Sequence, residues 1–367
     1  MRQVRTVLPT YSADVFGVCS ALYELGGMLI MHDASGCNST YTTHDEPRWY
    51  DSDAMVFISA LTQTDAVLGN DGKLVNDILS AVQGLNPKFV ALAGTPIPVM
   101  TGFDFGAVAA EIESAAGIPC FGFPTDGMHS YIYGVSDALA CYAERMVDRN
   151  PVKVKGTVNI IGATPLDFGH GEAIEKAEKE LTERGFSVVG KWAMNSSPEE
   201  LRRAGEASVN LVVSETGLKT AMLFEEIFDT PYVVGFPEGE HMLRRVTEML
   251  EASEKDGKNR SALFTPGEMN DKRVIIAGEP VMSASRAEEI MLENGKRPVV
   301  VNTVGNVREI GEMPCGACIT ALEEEEIIKV CAGASRVVAD PLFASVIPKN
   351  CTLVEVPHVA LSGRMFI

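Results

Sequence analysis

The chain has 367 residues, of which 46% are hydrophobic, and its formal net charge at pH 7 is −19. This apolar content is enough for sizeable cores and excludes a disordered chain. The acidic excess opposes binding to nucleic acid or anionic lipid, because both are negatively charged, and it favours either a solvated acidic surface or a partner with a basic face.

The sequence also predicts the cellular location of the protein. The amino-terminal residues have no secretory pattern, and no apolar run approaches the roughly 20 residues that span a bilayer. We therefore expect a cytoplasmic protein without a membrane segment. Its eight cysteines are then expected to be reduced thiols, some in cores and some as metal ligands.

Short β-branched runs alternate with helical patterns from end to end. This rhythm is typical of parallel sheets joined by right-handed crossovers. We predict an α/β fold of three Rossmann-like (flavodoxin-like) subdomains, at residues 1–152, 153–265 and 266–367, whose parallel sheets surround a central cleft. Lys153–Gly156 and Asp256–Asn270 are predicted linkers.

The first unit is predicted to hold strands at Val4–Leu8, Met28–His32, Met55–Ala60, Phe89–Ala93 and Pro119–Phe123, with helices at Val15–Leu25, Lys73–Gly84, Phe105–Ala116 and Gly134–Asp148. The second has strands at Val158–Gly162, Ser187–Lys191, Val209–Val213 and Tyr232–Gly235, with helices at Gly171–Arg184, Lys219–Phe228 and His241–Ser253. The third has strands at Arg273–Ala277, Pro298–Thr303, Val337–Ala339 and Thr352–Val356, with helices at Ser285–Asn294 and Leu322–Cys331. Ligands are expected at the carboxyl ends of these strands.

The first stretch with chemistry in it is Met31–Cys37, which reads Met-His-Asp-Ala-Ser-Gly-Cys. It places Cys37 just beyond a strand, where a thiolate is available to an iron–sulfur cluster. Gly36 lets the backbone approach an inorganic ligand closely. The alternative is that Cys37 packs as a small hydrophobic residue.

A second stretch, Thr62–Leu74, reads Thr-Gln-Thr-Asp-Ala-Val-Leu-Gly-Asn-Asp-Gly-Lys-Leu and precedes a helix that Asn70 or Asp71 can cap. Following a Ser-Gly-Cys motif in this order, it resembles the signature of the nitrogenase component 1 family. The resemblance continues through the chain to His358. It implies the catalytic component of an iron–sulfur-dependent oxidoreductase.

Two positions depart from the family pattern. Within Ala93–Asp104, Thr95 stands where the family carries another cluster cysteine, and Ser214 stands where it carries the cysteine of the active-site cofactor. A hydroxyl cannot replace a thiolate at iron without changing the chemistry. We therefore expect no iron–molybdenum-type cofactor and no reduction of dinitrogen.

The amino-terminal cluster cysteine of the family is also displaced. Its loop reads Thr10–Asp14 here, and Cys19 follows within the predicted helix, either as a ligand or as a buried core residue. The resemblance implies one [4Fe–4S] cluster at a dimer interface, held by Cys37 of each subunit with Cys19 or Asp33 as second ligand. The cofactor-binding residues so implied are Asp33, Ser35, Gly36, Cys37, Thr95 and Cys19.

Two further motifs lie in the third unit. His358 follows the last predicted strand, where the family has its cofactor histidine, so it is predicted to ligate a metal, donate a proton or hydrogen-bond a substrate. The alternative is a histidine satisfied by a backbone carbonyl. Cys315 and Cys318 form a CxxC pair, which indicates half a metal site or a redox pair.

Three functions follow from these observations. The first is an enzyme: a homodimer, or a heterodimer with a homologous subunit, that takes low-potential electrons from an ATP-dependent iron–sulfur reductase and reduces a substrate near His358. The second is a scaffold for metal-cofactor assembly. The third is a cluster-less ligand-binding module, which Thr95 and Ser214 favour.

Overall fold

The computed structural model describes residues 6–263, 271–305 and 318–366. Over these residues the chain forms three sheets, and every strand pairs in parallel with its neighbour. The predicted α/β class with three parallel sheets is confirmed. None of the helices in this part of the chain has the length and apolarity to cross a membrane.

The first unit has strands β1 (Met28–Met31), β2 (Met55–Ile58), β3 (Val90–Ala93) and β4 (Cys120–Phe123), and helices α1 (Asp14–Leu22), α2 (Gln63–Leu68), α3 (Asp71–Leu85), α4 (Pro96–Thr101), α5 (Phe105–Ala116) and α6 (Tyr131–Met146). Its strand order is β2–β1–β3–β4. Side chains alternate across a strand. Met28 and Ile30 therefore pack in one core with α3 and α5, while Leu29 and Met31 pack in another with α1 and α6.

Helices α1 and α6 cross closely at two glycines. A Cβ at Gly134 would lie 1.8 Å from the carbonyl oxygen of Asp14, and a Cβ at Gly17 would lie 2.3 Å from that of Tyr131. Neither position has room for a side chain. The crossing holds the amino terminus of α6, with Tyr131, against the start of α1.

The second unit has strands β5 (Val154–Ile161), β6 (Ser187–Trp192), β7 (Ala207–Val212), β8 (Tyr232–Val234) and β9 (Arg260–Ser261), and helices α7 (Pro165–Phe168), α8 (Glu172–Glu183), α9 (Pro198–Arg202), α10 (Leu218–Phe228) and α11 (Glu240–Asp256). The third has strands β10 (Asp271–Gly278), β11 (Pro298–Asn302), β12 (Cys318–Thr320), β13 (Arg336–Ala339) and β14 (Thr352–Glu355), and helices α12 (Pro280–Asn294), α13 (Glu324–Cys331) and α14 (Val359–Ser362). The sheet orders are β6–β5–β7–β8–β9 and β12–β11–β10–β13–β14.

Three predicted segments differ from the structure. In the predicted strand Val4–Leu8, the described residues are not a strand, because the amides of Thr6, Val7 and Leu8 donate to one carboxylate oxygen of Glu324. Lys153–Gly156 is no linker, since Val154 already pairs with Ala207.

The second predicted linker is also wrong in its described part. Helix α11 extends to Asp256, and β9 joins the edge of the second sheet; residues 264–270 lie outside the described residues. The short helices α2, α4 and α9 and the edge strand β12 were not predicted. The subdomain limits 1–152, 153–265 and 266–367 stay predictions.

A buried ion pair fixes the segment after β1. Arg48 lies 2.7 Å from Glu46 and 2.8 Å from Glu24, and it donates to the carbonyl oxygen of Ser20. Burial alone would raise the pKa of Glu46, but the charge and hydrogen bonds of Arg48 outweigh it and lower that pKa. The carboxylate therefore stays ionised inside the protein.

Replacing Arg48 with alanine leaves the Glu46 charge buried without its partner. We expect the free energy of unfolding at pH 7, measured by urea denaturation, to fall by about 3–5 kcal/mol. The deficit should shrink as the pH falls, because the wild-type carboxylate loses its stabilising charge while the variant gains by protonation. Arg202→Ala, which breaks an exposed pair with Asp148, is the control and should change little. Equal stability of both variants would contradict this account.

Candidate functional site

Open parallel sheets bind ligands beyond the carboxyl ends of their strands, where the strand order reverses. In the second sheet this point lies between β5 and β7, and in the third between β10 and β13. The segments that follow the strands at these points carry Asp167 and Ser214 in the second unit, and Glu279 and Asp340 in the third. All four side chains are buried.

A cavity lies where these loops meet. It encloses about 440 Å³ of empty space, part of it open solvent. Its walls come from all three units: Tyr11 from the first, Asp167 from the second, and Glu279, Asp340 and His358 from the third. The cavity therefore corresponds to the predicted central cleft.

Asp167 is the centre of a buried hydrogen-bond network on one wall. Its Oδ1 lies 3.0 Å from His358 Nε2 and accepts a short hydrogen bond from the Tyr131 hydroxyl. Its Oδ2 accepts from the Ser214 hydroxyl at 2.7 Å. The Tyr131 hydroxyl is also 3.2 Å from His358 Nε2. One carboxylate thus joins an imidazole and two hydroxyls from three units.

Asp340 holds the backbone of His358 in place. Its Oδ2 accepts from the His358 amide at 2.8 Å and from the Ser362 hydroxyl at 2.7 Å. Its Oδ1 accepts from the Leu342 amide. Two separate carboxylates therefore orient this histidine: Asp167 binds its ring, and Asp340 binds its backbone amide.

Burial raises the pKa values of two side chains near this wall of the cavity, Tyr131 and Glu279. Burial, followed by the charges of Asp167 and Glu279, raises the pKa of Tyr131 well above its usual value, so its hydroxyl keeps its proton. Burial and the charge of Asp167 raise the pKa of Glu279 well above its usual value, against the amides of Glu215 and Met282 that lower it. A carboxylate is harder to ionise where no water solvates it.

The predicted cluster residues lie at a different place, at the reversal point of the first sheet between β1 and β3. Ser35, Gly36 and Cys37 are exposed in the turn after β1. Gly36 has φ +85°, a conformation that favours glycine, and its Cβ position is open. Cys37 is the exposed cysteine among those described.

Asp33 and Thr95 brace this turn. The Asp33 carboxylate accepts from the Ala34 amide at 2.7 Å and from the Asn38 amide group at 2.8 Å. The buried Thr95 hydroxyl donates to the His32 carbonyl oxygen at 2.8 Å, so it joins the ends of β1 and β3. Both side chains are occupied in holding the loop.

Cys19 lies elsewhere. It is 1% exposed, in α1, within the apolar core of the first unit. Burial, and then the charge of Glu46, raises the pKa of its thiol strongly, which opposes formation of a thiolate ligand. This position agrees with the alternative interpretation of Cys19 as a buried core residue. Cys318 is half-buried at the start of β12, and Cys315 lies outside the described residues.

The residues at the first edge fit an iron–sulfur cluster only through Cys37. A [4Fe–4S] cluster takes four protein ligands, usually thiolates. The described part of one chain offers a single exposed thiol there, beside an Asp33 carboxylate that already accepts two hydrogen bonds. Cys37 would be one ligand, and a second chain would have to supply others.

Sequence reasoning found His358 but not its partners. Asp167 and Ser214 lay in stretches already noted, yet nothing local showed that a residue 191 positions away would meet His358. Tyr131, Glu279 and Asp340 were missed. The available signal was a polar residue within two positions of the end of a predicted strand, and both Glu279 and Asp340 have such a place in the sequence.

Solved structures resemble the whole fold. One described as "Nitrogenase Cp1 at pH 5" matches 98% of this chain and 85% of its own, with a TM-score of 0.66 and 16% identity. A second, "Nitrogenase Cp1 at pH 6.5", has a TM-score of 0.65 and 15% identity. At these identities the likeness shows the shared fold.

Curated relatives match shorter parts. A subunit of the light-independent protochlorophyllide reductase of Nostoc punctiforme is 31% identical over 103 residues, which are 27% of this chain and 20% of the relative. The same subunit in Bradyrhizobium sp. is 25% identical over 229 residues, and the match covers 57% of this chain and 44% of the relative. The nitrogenase molybdenum-iron protein alpha chain of Clostridium pasteurianum is 22% identical over 182 residues, and the match covers 48% of this chain and 33% of the relative. The chain thus matches less than half the length of each of these relatives.

The match to a family model is broader. The model described as nitrogenase component 1 type oxidoreductase matches residues 14–329. That range includes Cys37 and Asp167, together with both reversal points of the first two sheets. The chain belongs to the family of nitrogenase component 1 type oxidoreductases.

Proposed function

We propose that this chain is the substrate-binding component of a nitrogenase-like reductase, with its substrate in the central cavity. The observation that carries the proposal is the network of Tyr131, Asp167 and His358 at a cavity that all three units enclose. Reduction of most substrates consumes protons together with electrons. An oriented imidazole backed by a carboxylate is suited to deliver them.

His358 is the proposed proton donor. Its Nε2 is held by the Asp167 carboxylate, and its backbone amide is held by Asp340. This leaves Nδ1, which has no hydrogen bond to any residue within the described ranges, for a substrate. Tyr131, whose raised pKa keeps it protonated, donates to Asp167 and keeps that carboxylate in place.

Electrons are proposed to enter at Cys37. An iron–sulfur cluster bound there would supply single electrons at low potential. Two chains, each contributing Cys37, would supply two of its four ligands, as a homodimer or with a homologous subunit. The exposed position of this thiol supports the proposal, whereas the buried Cys19 does not contribute to it.

The proposed cluster can be tested by anaerobic purification, followed by iron and sulfide analysis and electron paramagnetic resonance. A protein that stays iron-free after reconstitution overturns the proposal.

An exposed apolar patch lies near the same edge. Val67 and Leu68, at the end of α2, are 77% and 74% exposed, and Met100 of the adjoining α4 is 85% exposed. Both helices follow carboxyl ends of strands in the first sheet, as Cys37 does. We propose this patch (Val67, Leu68, Met100) as the docking surface of an ATP-dependent iron–sulfur reductase.

Replacing Val67 and Leu68 together with aspartate should weaken reductase docking. Two charges in an apolar contact must be desolvated without partners, so we expect the concentration of reductase at half-maximal rate to rise at least about tenfold. Leu85→Asp, at the exposed end of α3, is the matched control. If both variants behave alike, the reductase docks elsewhere.

A cluster-less ligand-binding module is the second candidate. The burial of Cys19 and the occupied hydroxyl of Thr95 favour it, because both remove potential ligands. Under this alternative the cavity binds its ligand without redox chemistry, and the protein is colourless with or without Cys37.

A further inference from the structure

Strand β4 forms one side edge of the first sheet. Among the strands that the structure describes, it pairs with β3 alone. The amide of Val90 in β3 donates to the carbonyl oxygen of Pro119. Because backbone groups alternate in direction along a strand, those of Cys120 and Gly122 point away from β3. An edge of this kind is a template for pairing with a further strand.

The two residues that point outward differ in their partners. The Cys120 amide donates to Glu113 at 2.9 Å, and the Cys120 carbonyl oxygen accepts from Arg145 at 3.0 Å. The amide and carbonyl oxygen of Gly122 have no hydrogen bond to any residue in the described ranges. The edge is therefore closed at Cys120 and open at Gly122.

A groove with a volume of about 480 Å³ follows this edge, between α5 and α6. On the α5 side its lining includes Gly106, Ala110 and Ser114, which are small and exposed. Their spacing of four residues places them on one face of the helix. A second helix can therefore approach α5 closely on the side of the sheet edge.

The open edge is complementary to a second copy of itself. Two copies of Gly122 that face each other across a two-fold axis exchange both hydrogen bonds, as in the closely spaced pair of an antiparallel ladder. Cys120 then lies opposite Pro124 of the second copy. Proline has no N–H to donate. The Cys120 carbonyl oxygen therefore loses no partner by accepting from Arg145.

The same register gives the helices an ordinary spacing. Helix α5 connects the neighbouring strands β3 and β4 and packs against both. Neighbouring strands lie about 4.8 Å apart, so a second α5 over the next two strands lies about 10 Å away. Packed helices have interaxial distances of about 8–10 Å, and small residues at the contact permit this approach.

The charges along the groove also permit the contact. Two copies with a net charge of −19 each repel one another, so their contact needs a surface without unpaired acidic groups at its centre. The charged residues of the lining, Glu113, Glu144 and Arg145, lie toward the Cys120 end, and Arg145 pairs with Glu113 at 2.7 Å. The centre beside Gly122 is uncharged.

We infer that two copies of this chain pair through β4, antiparallel and with a two-fold axis beside Gly122. This contact joins two four-stranded sheets into one continuous sheet. It goes beyond the proposed function, because it uses the side edge of the sheet, whereas Cys37 follows the carboxyl end of β1. One chain can therefore make this contact and share a cluster at the same time.

Sedimentation velocity of full-length Cys37→Ser protein tests the contact without a shared cluster. We expect a dimer. Ala110→Arg brings a guanidinium group of each copy to the axis, so it should raise the dissociation constant of the dimer at least about tenfold. Arginine is a good helix former, so the fold should persist. Ala107→Arg changes an exposed residue of α5 outside the groove and should leave the dissociation constant unchanged.

Hydrogen exchange identifies the surface that the dimer uses. The Gly122 amide should exchange more slowly at protein concentrations above the dissociation constant than below it. A monomer at all concentrations, a dimer that Ala110→Arg does not weaken, or a Gly122 amide whose exchange is independent of concentration would overturn the inference. These measurements need neither iron nor turnover, so their outcome is separate from that of the proposed function.

Discussion

Replacing Cys37 with serine should remove the iron and the visible absorption of the anaerobically purified protein. The exposed thiol follows β1 at the reversal point of the first sheet, and no other described cysteine is exposed. Serine keeps the shape of the side chain but offers a hydroxyl that binds iron poorly. Reductase-dependent turnover should fall to background with it.

Two cysteine variants control for general effects. Cys351→Ser changes a partly buried thiol of the third unit and should keep iron and colour. Cys19→Ala should also keep iron but lower the free energy of unfolding by about 1 kcal/mol, because a buried core atom is lost. Loss of iron in Cys19→Ala with the fold intact would instead restore Cys19 as a ligand.

Replacing Asp167 with asparagine should lower turnover by about 10²–10⁴-fold, the usual contribution of a positioned proton donor. Asparagine keeps the volume but removes the negative charge beside the His358 ring, and its amide group cannot accept from both Tyr131 and Ser214. Stopped-flow or steady-state assays with the proposed iron–sulfur reductase measure the loss. His358→Gln should show a similar one.

A double variant separates proton delivery from structural damage. If Asp167 acts through His358, the combined Asp167→Asn and His358→Gln protein should lose no more activity than the less active single variant. Ser214→Ala, which removes one donor to Asp167, should lose far less. Additive losses, or a matching fall in thermal stability, would mean that these residues only support the fold.

Much of the fold could be predicted because its signals are local. Buried strands such as Val90–Ala93 are continuous apolar runs, and Phe105–Ala116 begins at the Asp104 cap and ends before a left-handed glycine. The failures have physical causes too. The segment around Val7 has the composition of a strand, but its backbone amides donate to the Glu324 carboxylate instead of to a neighbouring strand.

The site was less predictable, because its parts are far apart in sequence. His358 was proposed from its place after the last strand and from the family pattern. Its contact with Asp167 depends on how the second and third sheets pack, which no local pattern encodes. Burial of Cys19 likewise depends on the close crossing of α1 and α6, which Gly17 and Gly134 permit.

The cavity wall is built from separate segments, and this has a consequence for how such proteins diversify. Tyr11 precedes α1, Asp167 follows β5, Glu279 follows β10 and Asp340 follows β13. One segment can therefore exchange a lining residue while the sequences of the others stay the same. New ligand preferences can arise one segment at a time on an otherwise constant scaffold.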